Sequence, residues 1–338
     1  MKIVVLAGGL SPERDVSLSS GSLIANALMD SGHRVCLLDL YLGLNAADFD
    51  AAFVGAASGK RFEHVVPAHE PDLERLKCES GNGRALIGQN VIEICKFADL
   101  VFLALHGDIG ENGKLQAVFD CFGICYTGTG YDGSLLAMDK DLSKILMEQN
   151  QILTPKWQII EDDFESVDFP CVIKPCGCGS SVGVSIVQNK QELVSAVNFA
   201  KKYEQKIMAE EMIVGREFSV GVLDGEALPV IEIIPNEGFY DYKNKYQLDL
   251  TREVCPAEIS TELSDKLKRT AVKTHKALRL GSYSRIDFIV SADGREFCLE
   301  ANTLPGMTPT SLLPQEAAAA GIGYRELCEK IAKLAGDL

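Results

Sequence analysis

The chain is predicted to combine two fold classes: an α/β part with a parallel sheet, followed by an α+β part built on hairpins. Three observations predict this. Apolar strand-like runs alternate with helical segments over the first third of the chain. Two Asp-Gly turns, Asp224-Gly225 and Asp293-Gly294, each separate strand-like runs in the second half. Between them and the first part, a Gly/Ser-rich loop joins two strand-like runs. Alternating β and α units imply a parallel sheet covered on both faces, whereas Asp-Gly turns imply antiparallel pairs.

The elements can be justified in order. K-I-V-V-L-A, residues 2–7, is an unbroken apolar run of strand length. Gly8-Gly9 begin a loop, and Ser17 to Ser31 reads as a helix. H-R-V-C-L-L-D-L is a second strand, and D-L-V-F-L-A-L-H-G is a third, followed by a helix at L-Q-A-V-F-D-C-F. Residues 43–90 carry Gly, Pro, Asn and scattered charge without a clear period. The glycines after the first strand lack the G-x-G-x-x-G spacing, which argues against a nicotinamide enzyme.

After the loop Y-T-G-T-G-Y-D-G, residues 126–133, the segment S-L-L-A-M-D-K-D-L-S-K-I-L-M reads as one helix. C-V-I-K-P, V-G-V-S-I-V and K-I-M-A-E-E-M-I read as strands, with a helix at Q-E-L-V-S-A-V-N-F-A-K-K-Y. R-E-F-S-V-G-V-L and E-A-L-P-V-I-E-I-I form the hairpin at Asp224-Gly225, and R-I-D-F-I-V and E-F-C-L-E-A-N-T the one at Asp293-Gly294. Three domains are expected, spanning 1–127, 128–209 and 210–338.

Composition bounds the function. A chain of 338 residues with 46% hydrophobic residues can build two or three ordinary domains. A formal net charge of −15 argues against non-specific binding to nucleic acid or an anionic membrane. Eleven cysteines, an odd count without a secretory leader, argue for reduced thiols and a cytoplasmic location. M-K-I-V-V-L-A-G-G-L resembles a first strand rather than a signal sequence, and no apolar run is long enough to span a bilayer.

The chemistry concentrates in two places. A tight turn at Asp293-Gly294 would set Asp287 opposite Glu300 and Arg285 opposite Asn302, all on one face. Opposed carboxylates need a compensating cation, and an oxygen-only set suits Mg²⁺ or Mn²⁺ better than zinc. The plainer reading is an exposed hairpin with solvated acids. The second place is K-P-C-G-C-G-S-S-V-G, residues 174–183. Its small residues let backbone N–H groups approach an anion, and Lys174 adds charge. It is not a Walker loop. Lys140, taken alone, reads as a solvated lysine, and Glu13 as a solvated loop acid. Cys176 and Cys178 lack the partners of a metal–thiolate site and read as small loop-filling residues. Cys121 and Cys125 read as packing residues.

The segments G-G-L-S-P-E-R-D-V-S-L, L-H-G-D-I-G-E-N-G, Y-T-G-T-G, M-D-K, I-K-P-C-G-C-G-S-S-V-G, G-R-E-F, F-Y-D-Y-K-N-K-Y, R-I-D-F and L-E-A-N-T-L-P-G-M-T-P-T-S-L occur in this order. Together they resemble the D-alanine–D-alanine ligase family of the ATP-grasp superfamily across nearly the whole chain. The resemblance implies an ATP-grasp fold preceded by a Rossmann-like (pre-ATP-grasp) parallel-sheet domain. It implies ATP-dependent joining of two D-alanines through an acyl phosphate, for peptidoglycan synthesis, with two Mg²⁺ (or Mn²⁺) ions and a homodimer formed through the N-terminal domain.

It also implies roles. Glu13, with Val16 nearby, would bind the first substrate, and Ser180 and Tyr246 would close the site over it. Lys140, Lys174 and Lys245 would contact phosphates, and Asp287, Glu300 and Asn302 would hold the metal ions. Glu210, Glu211 and Ile213 would meet adenine, Glu217 the ribose, and Phe239, Ile289 and Leu299 would pack on the base. Arg285 and the Gly306 N–H would stabilise the oxyanion. Ser311, Leu312 and His106 would receive the second substrate. Where relatives often carry Arg-Glu or Asn, this chain has Cys176-Gly177-Cys178, which raises the hypothesis of thiol sensitivity. Relatives that make D-alanine–D-serine or D-alanine–D-lactate are the nearest rivals, and Tyr246 and Leu312 keep the dipeptide pattern. A catalytically silent nucleotide-binding regulator should lack some of Glu13, Arg285, Asp287, Glu300 and Asn302, yet all five are present.

Overall fold

The computed structural model describes residues 1–67, 69, 71–160, 167–179, 181–235 and 251–336. Strands β1 (Lys2–Ala7), β2 (Arg34–Asp39) and β3 (Leu100–Leu103) form a parallel sheet in the order β2-β1-β3. Ile3 to Ala7 are wholly buried, which is why the run shows no polar alternation. Helix α1 (Arg14–Asp30) crosses between the first two strands and begins at Arg14 rather than Ser17. Ser17 lies inside the helix: its hydroxyl accepts from the Gly8 N–H at 2.8 Å and donates to the Ala104 carbonyl at 2.7 Å. Gly21 lets the helix approach the sheet, since a Cβ there would come within 2.7 Å of the Ala7 methyl. Helices α2 (Leu73–Ser80) and α3 (Val91–Phe97) come from or border the stretch without a readable period. Short α4 (Asp108–Glu111) and α5 (Lys114–Phe122) follow β3.

The single helix expected over 134–147 is two, α6 (Tyr131–Met138) and α7 (Lys140–Gln149). Asp139 breaks them: its backbone is extended, and its carboxylate caps the N–H groups of Asp141 and Leu142. A second, antiparallel sheet has the order β4-β7-β5-β6. Its strands are β4 (Trp157–Ile160), β5 (Cys171–Pro175), β6 (Ser185–Val187) and β7 (Ile207–Glu211). Helix α8 (Lys190–Ala200) covers it through Leu193 and Val197.

The third sheet contains β8 (Gly215–Leu223), β9 (Glu226–Ala227), β10 (Ile231–Pro235), β11 (Thr251–Val254), β12 (Tyr283–Ser291) and β13 (Glu296–Asn302). Its path is β11-β10-β8-β12-β13, with β9 beside β8. The turn at Asp224-Gly225 has φ of 58° and 75°, the left-handed pair that a two-residue hairpin loop requires. The run after it divides into β9 and β10, because Pro229 has no N–H to lend to a ladder. Helix α9 (Thr261–Ala277) packs on this sheet through Leu267 and Ala271. Met147 of α7 and Ile152 join the same core. The segment after residue 128 therefore starts against the third sheet before its chain enters the second.

The hairpin at Asp293-Gly294 differs from the expected tight turn. The loop is 292–294, with Gly294 at φ 80° and the Ser291 N–H donating to the Arg295 carbonyl at 3.0 Å. That extra loop residue offsets the pairing by one from Val290↔Glu296 to Phe288↔Cys298. A β-bulge at Leu299 then restores it, so Arg285 faces Asn302 and Asp287 faces Glu300, as expected.

After α10 (Leu312–Ala319), the last helix α11 (Tyr324–Gly336) returns to the first sheet. Leu327, Cys328 and Ile331 are fully buried in one core with Ile3, Leu28 and Phe102. Ile331→Ala should therefore destabilise the N-terminal core by about 2–5 kcal/mol, read as a lower urea midpoint.

Candidate active site

A cleft of about 470 Å³ lies between the second and third sheets. Lys174 on β5 and Glu210 on β7 form one wall; Glu217 on β8, Ile289 on β12 and Leu299 on β13 form the other. Glu211 and Ile213 line the connection between the walls, and Lys140 enters from the start of α7. The bulge places the consecutive residues Leu299 and Glu300 both on the cleft, while Cys298 is buried in the core. An apolar platform and an acid thus sit side by side on one strand.

The opposed carboxylates are each balanced by a protein cation. Arg285 forks onto Asp287, with Nε donating at 2.9 Å and one terminal nitrogen at 2.8 Å. Ser219 donates to the same carboxylate at 2.7 Å and Asn302 at 2.9 Å. Glu300 pairs with Lys140 at 3.3 Å. The repulsion that pointed to a metal ion in the sequence is thus already met by Arg285 and Lys140. Lys140 is not solvated. It is buried and also donates to the Cys178 carbonyl at 2.7 Å, tying α7 to the phosphate loop. Burial works against its charge, but Glu300, together with Cys178 and Glu210, outweighs burial and raises the ammonium above its ordinary value.

Lys174 donates to Glu210 Oε1 at 2.7 Å. On the other side of that carboxylate, Lys144 lies 2.6 Å from Oε2. Burial alone would raise the Glu210 carboxyl, yet the two lysines hold it below the usual carboxylate range. Lys144 was missed in the sequence. The available signal was its spacing, four residues after Lys140 on one helix. Ser219 was missed too; its place in R-E-F-S-V-G-V-L gives no sign that Asp287 pairs with it across the sheet.

A second cluster of polar residues meets the Gly/Ser-rich loop from the N-terminal domain. Glu13 occupies the N-cap position of α1, without a side-chain capping hydrogen bond, and is buried, not solvated. A Cβ built on Gly179 would lie 4.0 Å from its carboxylate, and one on Gly107 only 3.1 Å away. Val16, one turn into α1, is buried beside it in the chain. His106 is buried, and its Nδ1–H donates to the Leu304 carbonyl at 3.1 Å. Burial lowers the ring's proton affinity, so the neutral ring presents Nε2 as an acceptor. Among the described residues Nε2 has no hydrogen-bond partner.

Ser311 precedes α10 and Leu312 opens it. The Ser311 hydroxyl accepts from the Thr308 N–H at 3.1 Å, and a Cβ on Gly306 would come within 2.7 Å of it. The glycine therefore keeps this turn tight. Cys176 is fully buried and burial pushes its thiol up to about 12, which gives no support to thiol sensitivity at this residue. Cys178 is half-buried, and burial raises its thiol as well. Ser180, Phe239, Lys245 and Tyr246 lie outside the described residues.

Comparison with known proteins matches this geometry to a family. Residues 2–129 match the family model for the D-ala D-ala ligase N-terminus, and residues 143–333 match that for the C-terminus. The D-alanine–D-alanine ligase of Pediococcus pentosaceus is 46% identical, covering 98% of this chain and 96% of that protein. A D-alanine–D-alanine ligase structure from Bacillus anthracis, complexed with ATP, is 30% identical with a TM-score of 0.75, covering 99% of this chain and 97% of that one. A D-Ala:D-Ser ligase structure from Enterococcus faecalis is 27% identical, with a TM-score of 0.75 and 99% of each chain covered. The fold is the ATP-grasp fold with a parallel-sheet domain before it, and the chain belongs to the D-alanine–D-alanine ligase family.

Proposed function

We propose that this chain joins two D-alanines into D-alanyl-D-alanine at the expense of ATP, in the cytoplasm, as a step toward peptidoglycan. The observation that carries the reading is the meeting of two sites at one loop. The cationic cleft of Lys140 and Lys174 reaches the Cys178 carbonyl, and Glu13 approaches Gly179 one residue on. A phosphate donor and an amino acid would thus share the loop 174–183. In the reaction, a carboxylate oxygen of the first D-alanine takes the γ-phosphoryl group and ADP is released. The second amine then attacks the carbonyl carbon, phosphate leaves, and the amine loses its extra proton.

The roles follow from chemistry and position. Glu13 would pair with the first ammonium, with Val16 beside it, and Lys140 and Lys174 would neutralise phosphate charge. Glu210, Glu211 and Ile213 would border the adenine, Glu217 would accept from the ribose hydroxyls, and Ile289 and Leu299 would pack on the base. Asp287, Glu300 and Asn302 present oxygen donors on one face of the β12–β13 hairpin, a set that suits Mg²⁺ or Mn²⁺. Two such ions bound there would neutralise phosphate charge. Arg285, its plane fixed by the fork onto Asp287, and the Gly306 N–H would stabilise the oxyanion. Ser311 and the first N–H groups of α10 would receive the second carboxylate, and His106 Nε2 would accept from the second ammonium. Ser180, Tyr246, Lys245 and Phe239 keep the roles the resemblance implies, and the dimer would form through the N-terminal domain. Curated relatives that are 46% and 43% identical over nearly the whole chain are D-alanine–D-alanine ligases, which supports D-alanine as second substrate.

Glu111 adds a pH-sensitive neighbour. It accepts from the Gly107 N–H at 2.5 Å, and burial, helped by the charge of Glu13, pushes its carboxyl up to about 7. The folded state therefore holds this proton more tightly than the unfolded chain, whose carboxyl titrates near 4.5. Stability from this group falls as pH rises through that window.

Three outcomes test these points. With ATP, Mg²⁺ and D-alanine, phosphate release should accompany a product of D-alanyl-D-alanine mass; in equal mixtures, a dominant D-serine or D-lactate product would overturn the assignment. Arg285→Lys should lower kcat by roughly 100-fold, because the ammonium cannot keep the fork. Glu111→Gln should gain stability relative to the parent as pH rises from 4.5 to about 7, and the difference should level off above it in urea unfolding.

A further inference from the structure

Lys144 has a fully buried side chain. It projects from α7 one turn after Lys140 but does not line the cleft, standing instead behind Glu210. Its ammonium donates to the Thr154 hydroxyl at 2.6 Å and to the Pro155 carbonyl at 3.2 Å, and faces Glu210 Oε2 at 2.6 Å. Glu210 Oε1 in turn accepts a hydrogen bond from the Lys174 ammonium at 2.7 Å. Glu210 and Lys174 both line the cleft. The row therefore runs from a hidden lysine, whose charge burial disfavours and Glu210 supports, through a carboxylate, to a lysine that faces the cleft.

Burying an ammonium costs several kcal/mol, and a well-packed apolar side chain of similar volume often serves stability equally well. Packing alone gives little reason for a lysine here. The row gives a better one. Glu210 lies diagonally from Lys174 across β5 and β7, with Val172↔Glu210 and Lys174↔Met208 as the direct pairs. When Lys174 turns toward a phosphate or a base, Glu210 gives up part of the cation that is hydrogen-bonded to it on the cleft side, while Lys140 remains on the cleft farther along. Without a second cation, burial would then favour a protonated, differently aimed carboxyl. Trp157 holds the arrangement from the flank: its indole N–H donates to Asp141 at 2.9 Å, and its ring lies 5.5 Å from the Lys144 ammonium.

We infer that Lys144 is a positioning residue: it anchors the Glu210 carboxylate from behind and, through it, fixes Lys174 in the nucleotide cleft. The inference rests on the reading of this cleft as the ATP site. A purely structural lysine would affect the melting temperature and leave nucleotide binding untouched. The decisive measurement is ADP binding by calorimetry to the full chain with Mg²⁺, between pH 6 and pH 8. Lys144→Met should weaken ADP binding by about tenfold at pH 7, the loss expected for one charge-assisted contact. The loss should grow as pH falls, because Glu210 protonates more easily without its backing cation, whereas the parent keeps Glu210 ionised across this range. Adding Glu210→Gln to Lys144→Met should abolish that pH dependence, and the combined loss should be smaller than the sum of the two single losses. Lys144→Gln retains an amide donor for Thr154 and Pro155, and carries the same test where the Met variant folds poorly. Unchanged ADP affinity in the single variants, or a pH-independent loss that adds to that of Glu210→Gln, overturns the role of Lys144. A parent that binds no ADP overturns the reading of the cleft itself.

Discussion

A carboxylate cannot remain ionised in a dry cleft without a cation beside it, and this constraint organises the centre of the molecule. Glu210 has Lys174 and Lys144, Asp287 has Arg285, and Glu300 has Lys140. Each pair joins different strands, or a helix to a strand, except Arg285 and Asp287, which share one face of β12. A chain with a formal charge of −15 thus gathers cations where phosphate would bind. The pairs also do mechanical work, since α7 is tied to the second sheet by Lys144 and to the third by Lys140.

Helix α7 depends on the same economy of charge. Asp139 ends α6, caps α7 and pairs with Lys206, which begins the approach to β7. Lys206 also reaches Asp141, whose other partner is Trp157 on β4. Met147, one turn beyond Lys144, enters the apolar core under the third sheet. One short helix therefore sends Lys144 to the second sheet, Lys140 to the third, and its apolar end into the core under the third. That division fixes the two lysines relative to both walls of the cleft.

Much of this was legible in the sequence, and the gaps have physical causes. The buried parallel strands, the two Asp-Gly turns, the Gly/Ser-rich loop and the residues of the acidic hairpin all carry local signals of period or turn chemistry. The pairing of Asp287 with Glu300 was read correctly although the path differs: the longer loop at 292–294 and the bulge at Leu299 cancel. A bulge depends on contacts across the sheet, so no local period reveals it. The break at Asp139 was hidden because the residues on both sides suit a helix. Burial of Lys140 and Glu13 was equally hidden, because the elements that enclose them are distant in the chain. Lys144 illustrates the limit best, as its partners come from residues 154, 155 and 210.

The return of α11 to the first sheet has a consequence for how the chain is made. The parallel sheet and its crossover helix emerge first during synthesis, but Leu327, Cys328 and Ile331 are needed to close their core. At the usual pace of translation, the first domain waits roughly 10–40 s for its last wall. Throughout that wait it presents an apolar face with nothing yet made to cover it. The strands of the other two sheets are made in the interval, so the first sheet, although built earliest, is among the last parts of the molecule to be enclosed.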